Sequence, residues 1–269
     1  MASELQPVSL NVSVKGTSCS VAALRRQGSG APLVCLHGFG STKEDYADLA
    51  LFPATRERPL FLMDAPGFGS SKISDPSALD IGFLVEVALA CCNAVGIDSF
   101  HLSGHSMGGL TALMLAANHR DRVLSFSNIE GNVSPEDCFL SRQIVQHPTD
   151  SDEAFFAAFI ERVRNIPQAS SHLYALTLPM KVQVSSVRPV FESMVALSDE
   201  APLMELFTGL PFPRQFIHGS ENATLSYLPH LPTRGVGVVE IPHSAHFPMY
   251  ANPPALWSAM AGLIEKAER

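Results

Sequence analysis

The chain has 269 residues, 46% of them hydrophobic and 16% charged, with a formal net charge of −8 at pH 7. That length suits one large α/β domain, or a core carrying an insertion, and the composition excludes a disordered chain. With no Lys/Arg cluster to offset the acidic balance, a nucleic-acid phosphate backbone is excluded as partner.

Met1 to Pro7 lacks the basic start and apolar stretch of a secretory signal. No segment offers about 18 uninterrupted apolar residues either, so a cytoplasmic protein without a membrane span is expected. Val8–Val14 and Cys19–Arg25 alternate like two antiparallel strands joined by Lys15-Gly16-Thr17-Ser18. Short apolar runs follow at 32–36, 59–63 and 99–102, separated by helix-like stretches such as Leu79–Val95. This is the pattern of parallel strands buried on both faces. Val123–Ile129 reads as a further strand.

From Ser134 to Thr208 only helical periodicities occur, among them Asp152–Val163 and Arg188–Leu197, with Pro148, Pro167, Pro179 and Pro202 as expected breaks. This stretch is expected to be a helical cap, residues 134–208, inserted into a core formed by residues 1–133 and 209–269. The core resumes with strands at Arg214–His218 and Val236–Ile241 and ends in an amphipathic helix, Pro253–Ala267. The five cysteines (Cys19, Cys35, Cys91, Cys92, Cys138) show no C-x-x-C spacing and read as small core hydrophobes, not as a disulfide framework or zinc site.

Gly104-His105-Ser106-Met107-Gly108-Gly109 lies between the strand-like run Ser99–Ser103 and the apolar helix-like run Leu110–Ala117. In that context G-x-S-x-G means a nucleophile elbow. A sharp strand-to-helix turn brings backbone segments together, so small residues are needed two before and two after the nucleophile, where Gly104 and Gly108 stand. Ser106 is expected at a helix N-terminus, with the Met107 amide directed to where an oxyanion would form.

The whole chain resembles the α/β-hydrolase superfamily, whose motifs it carries in the family's order. His37-Gly38-Phe39-Gly40 is similar to the H-G-x oxyanion loop, which makes the Phe39 amide the second oxyanion donor. Asp64-Ala65-Pro66-Gly67-Phe68-Gly69-Ser70-Ser71 resembles the D-x-P-G-x-G-x-S loop. His246, in Ser244-Ala245-His246-Phe247-Pro248, resembles the late catalytic histidine. The resemblance implies an α/β-hydrolase fold with a mostly parallel central sheet flanked by helices and an inserted cap. His243 takes a minor share of the histidine role, and His37 and Asp64 are expected to be structural.

The family's commonest acid position, the G-x-x-D turn, here reads Gly219-Ser220-Glu221-Asn222, and Asn222 cannot be an anionic partner. Glu130, directly after the Val123–Ile129 strand (the family's sixth core strand), is the leading candidate, because some subfamilies place their acid there. Glu221 is the main rival and Asp137 a distant third. The other reading of Glu130 is a charged strand-end residue gating the cap, with Asn132 and Asp137 in the same turn.

The expected chemistry is acyl transfer: Ser106 attacks an ester, thioester or lactone, the Phe39 and Met107 amides hold the oxyanion, and His246 activates water for deacylation. No cofactor or metal is required. The lid is expected in Phe155–Ile160, Leu173–Leu176 and Leu203–Phe207. Phe68, Phe155, Phe159 and Tyr174, with Phe39 and Met107, are expected to line a pocket for a hydrophobic small molecule. A monomer or homodimer is expected. The alternatives are a C–C bond hydrolase or lyase, an acyltransferase, or a ligand receptor on the same fold, the last supported by Asn222 alone.

Overall fold

The computed structural model describes residues 4–148 and 150–269, so the leader reading of residues 1–3 lies outside the described residues. Strand β1 (Gln6–Val14) alternates between half-buried Val8, Leu10 and Val12 and exposed polar residues, as suits an edge strand with one solvated face. It pairs antiparallel with β2 (Thr17–Arg26). Only Lys15 and Gly16 separate them, at φ 47° and 82°, a tighter hairpin than the four-residue link expected.

β3 (Leu33–Leu36) and β4 (Leu60–Met63) are buried along their whole length, as their unbroken apolar runs require. After the two-residue β5 (Lys72–Ile73) comes α1 (Ile81–Ala94), whose first turn is capped by Asp80 accepting from the Phe83 amide. β6 (Phe100–His105) leads into α2 (Met107–Asn118), and β7 (Val123–Ile129) into the helical stretch. That stretch contains α3 (Gln143–Gln146), α4 (Asp152–Arg164), α5 (Ala169–Lys181), α6 (Val187–Glu200) and α7 (Leu203–Thr208). β8 (Arg214–Gly219), β9 (Gly237–Ile241), α8 (Pro248–Ala251) and α9 (Pro253–Ala267) complete the chain.

Among the described residues one sheet runs β1-β2-β4-β3-β6-β7-β8-β9, with β5 paired to β2. All pairs from β4 through β9 are parallel. Strands β3, β6, β7, β8 and β9 therefore present their C-terminal ends side by side, the edge where open parallel sheets bind ligands.

Two expectations about the helical stretch need correction. Pro179 does not end a helix: α5 runs through it to Lys181, because the proline sits in the last turn, where few bonds are lost, and the Val182 amide still closes on the Leu178 carbonyl. Leu203–Phe207 is not lid. It lies in α7, and Phe207 packs against Phe126 of β7 and Phe216 of β8, on the sheet. The helical stretch is tied to the strand-end loops by Phe68 bridging to Val182, by the Gly69 amide donating to the Lys181 carbonyl, and by Lys181 Nζ 3.1 Å from Asp45.

Candidate active site

The turn after β6 is strained by design of its neighbours. Ser106 has φ 51° and ψ −119°, a conformation that costs a non-glycine residue of order 1–3 kcal/mol and persists only where the surroundings impose it. A Cβ on Gly104 would lie 2.2 Å from the Gly108 carbonyl oxygen, and one on Gly108 would lie 2.2 Å from that of Leu36. The elbow therefore admits no larger residue at either place. A Cβ on Gly109 would lie 2.6 Å from the Gly131 Cα, which brings the start of α2 against the turn after β7.

His246, in the loop after β9, places Nε2 3.0 Å from Ser106 Oγ and Nδ1 3.3 Å from Glu130 Oε2. Glu130 follows β7 directly and also has a positive φ, 51°. Its side chain is 3% exposed, with Oε1 accepting from the Gly219 amide and Oε2 from Asn222 Nδ2, each at 2.7 Å. The structure thus brings Ser106, His246 and Glu130 into one hydrogen-bonded chain. Its members come from three strand ends.

Asp137 lines the cleft at Ser106 and Glu221 the one beside it, but the carboxylate on His246 Nδ1 is that of Glu130. Glu221 is exposed and accepts from Gln168 Nε2 at 2.8 Å. Asp137 accepts from the Val133 and Ser134 amides and from the Tyr227 hydroxyl, holding its turn, and burial pushes its carboxyl up to about 6. Asn132 donates to Ser198 Oγ. His243 is exposed and makes no hydrogen bond to Ser106 or Glu130.

The conformation of the His37–Gly40 loop is set by one peptide plane. The Gly38 carbonyl accepts from His37 Nδ1 at 2.8 Å and from the Ser41 amide at 3.0 Å. In a trans peptide the N–H points opposite to the C=O, so these bonds turn the Phe39 amide the other way. The turn needs Gly40 at φ 70°. His37 Nε2 accepts from the Ala65 amide, so the ring is the neutral Nδ1–H tautomer. Burial lowers its pKa, against the pull of Asp64. Asp64 takes the Lys43 ammonium and the Lys43 and Ser70 amides, clamping both loops. Met107 opens α2, where the first amides have no intrahelical acceptor.

His105 was not foreseen. Its Nε2 donates to the His246 carbonyl at 2.7 Å, with the two rings 4.9 Å apart, so the residue beside Ser106 anchors the backbone of His246. Burial, then the neighbouring His246, hold its pKa well below the usual histidine value. The G-H-S context carried that position, but not its partner 141 residues away.

A cleft at Ser106 is lined by Phe39, Tyr174, Phe191, Met194, Phe139 and Phe247, together with His246. Of the four residues expected to bind substrate, Tyr174 is there, its hydroxyl donating to the Phe39 carbonyl at 2.7 Å. Phe68, Phe155 and Phe159 are not among the lining residues. They form an aromatic layer behind it, Phe68 and Phe159 against Phe39, and Phe155 against Phe159 and Phe191. Phe191 and Met194 of α6 take their place at the cleft, which the periodicity of that helix could not distinguish from core.

A second Ser–His–Glu grouping shows that residue types alone do not make such a site. His101 Nδ1 lies 2.8 Å from Ser125 Oγ and Nε2 3.3 Å from Glu268. Ser125 sits buried inside β7, however, without a helix N-terminus behind it, and the group fastens the C-terminal turn to the sheet.

The family model for the alpha/beta hydrolase fold matches residues 31–217, well over half of the chain. The chain belongs to the α/β-hydrolase fold family. Within it, this α/β hydrolase is 33% identical over 120 residues to a pimeloyl-[acyl-carrier protein] methyl ester esterase of Aeromonas hydrophila, covering 45% of this chain and 44% of that protein. It is 39% identical over 101 residues to the dihydrolipoyllysine-residue acetyltransferase component of an acetoin cleaving system of Pseudomonas putida, covering 37% of this chain and 26% of that one. The chain thus spans less than half the length of these curated relatives. Its fold matches a thermophilic esterase from Thermogutta terrifontis at TM-score 0.74 and 20% identity, over 98% of this chain and 100% of the other. It also matches the enol-lactonase from Burkholderia xenovorans at TM-score 0.71 and 20% identity, over 95% and 100%. No helix among the described residues is long and apolar enough to cross a membrane.

Proposed function

We propose that this α/β hydrolase cleaves a carboxylic ester or lactone of a hydrophobic small molecule through an acyl-enzyme. The observation that carries the reading is the chain from Glu130 through His246 to Ser106, at 3.3 and 3.0 Å, on a nucleophile held at positive φ. His246 takes the Ser106 proton as Oγ attacks the carbonyl carbon, and the Phe39 and Met107 amides receive the oxyanion. His246 then returns the proton to the leaving alcohol and activates water for deacylation. Glu130 orients the imidazole and stabilises its charged form. Residues from 134 to the end of α6 act as the cap, with Phe191, Met194 and Tyr174 facing the acyl group.

The receptor alternative rested on Asn222, and its bond to Glu130 accounts for that residue within an enzyme. Hydrolysis of a p-nitrophenyl ester panel tests the reading. Ser106→Ala is expected to lower kcat by roughly 10⁵-fold or more. Unchanged hydrolysis in that variant contradicts it.

A further inference from the structure

Beside the cleft that holds Ser106 lies a second one, enclosing about 610 Å³ of space with its open mouth included. Both clefts share Phe139, Leu140, His246 and Phe247, but Ser106 and Phe39 line only the first. The second cleft therefore adjoins the first at His246. In acylation the Ser106 Oγ–carbon bond forms, the carbon–oxygen bond to the alcohol breaks, and the proton taken from Oγ passes from His246 Nε2 to the departing oxygen. The alcohol half of the substrate must lie against His246. This cleft is where it has room.

The chemistry of the cleft is one-sided. Among the described residues that line it, Glu221 is the only carboxylate, and none is a lysine or arginine. The carboxylate is held by Gln168 Nε2 at 2.8 Å, which ties the start of α5 to the loop after β8. Two aromatic rings complete it. Phe139, 51% exposed, stands edge-to-face with His246 at 5.0 Å and 83°, and Phe247 does the same at 5.1 Å and 77°. Aromatic rings beside a carboxylate favour a cation by quadrupole and by charge. An anionic alcohol meets the opposite field.

We infer that this cleft is a leaving-group subsite for an alcohol carrying a protonated or quaternary amine, with Glu221, Phe139 and Phe247 as its specificity-determining residues. The inference rests on the hydrolase reading and deepens it.

Hexanoylcholine and 3,3-dimethylbutyl hexanoate have the same acyl group and nearly the same shape, and differ in charge. The expected wild-type kcat/KM favours the choline ester by about tenfold, the scale of one aromatic and one partly solvated ionic contact. Glu221→Gln is expected to cut that ratio at least about threefold, and Glu221→Lys to bring it below one. Far-UV circular dichroism verifies that both variants are folded. A wild-type ratio of one or less, or one ratio common to all three proteins, overturns the inference while leaving ester hydrolysis standing. Hydrolysis of neither ester, with no fluorophosphonate label on Ser106, overturns the hydrolase reading and this inference with it.

Discussion

The Asn222 side chain donates to Glu130 Oε2 at 2.7 Å, the same oxygen that faces His246 Nδ1 at 3.3 Å. This explains why an amide stands at the end of the Gly219-Ser220-Glu221-Asn222 turn. With Glu130 arriving from the end of β7, a second carboxylate at 222 would set two like charges in contact, whereas the amide supplies a donor.

A reciprocal exchange tests that relationship. Glu130→Gln is expected to lower kcat by about 10³ to 10⁴, as loss of a triad carboxylate does. Asn222→Asp alone is expected to cost about tenfold through repulsion. Combined with Glu130→Gln it is expected to recover at least about tenfold, because the carboxylate then returns from the other strand end. Steady-state kinetics of the three variants decide it. A double variant no faster than Glu130→Gln contradicts this account of position 222.

At the elbow, Gly108→Ala drives a methyl group into the Leu36 and His37 carbonyl oxygens, at 2.2 and 2.4 Å from an ideal Cβ. Neither oxygen is at the end of a flexible side chain, so the backbone itself must shift. The expected cost is about 2–4 kcal/mol, read as a lower urea midpoint, with loss of activity as the oxyanion loop moves. A variant as stable and active as wild type contradicts the packing described.

Much of this was legible because it depends on local spacing. β7 and α9 begin and end where the sequence pattern placed them. Short motifs singled out Ser106, His246 and the His37–Gly40 loop, and a place directly after a strand singled out Glu130; the structure brings Ser106, His246 and Glu130 together. What was not legible is pairing across the chain: the 2.7 Å bond from Asn222 to Glu130, the bond from His105 to the His246 carbonyl, and the choice of Phe191 and Met194 over Phe155 and Phe159 at the cleft. An aromatic on an amphipathic helix has the same pattern whether it faces a cavity or the layer behind it.

His105 gives a test of positioning. His105→Phe keeps a ring of similar size and removes the donor to the His246 carbonyl. The orphaned carbonyl is expected to cost about 1–3 kcal/mol of stability. A loosened His246 is expected to lower kcat by about tenfold with little change in KM. Unaltered kcat in a folded variant denies His105 that role.

Acid sensitivity follows from buried groups. Burial holds His37 and His105 below the ordinary 6.5, so the unfolded chain binds more protons as the pH falls through that value. Their contribution is full above 6.5 and is lost on acidification, each at up to about 1.4 kcal/mol per pH unit. Asp137, raised from 3.8 to about 6, acts in the opposite sense: its contribution is full below 3.8 and lost as the pH rises through about 6. Above about pH 6 the Asp137 contribution has already been lost, so net stability is expected to fall as the pH drops from about 7 toward 6. Urea unfolding at about pH 7 and pH 6 measures it, and His37→Gln is expected to flatten the slope. Equal stability at the two values contradicts the assignment of neutral buried rings.

The most direct test of the central claim is stopped-flow hydrolysis of a p-nitrophenyl ester with parallel fluorophosphonate labelling, on wild type, Ser106→Ala and Glu130→Gln. A burst and a covalent label on Ser106 are expected in wild type, neither in Ser106→Ala, and acylation slowed by about three orders of magnitude or more in Glu130→Gln. Glu130→Gln acylating at the wild-type rate, or a wild type with neither burst nor label, would contradict that claim.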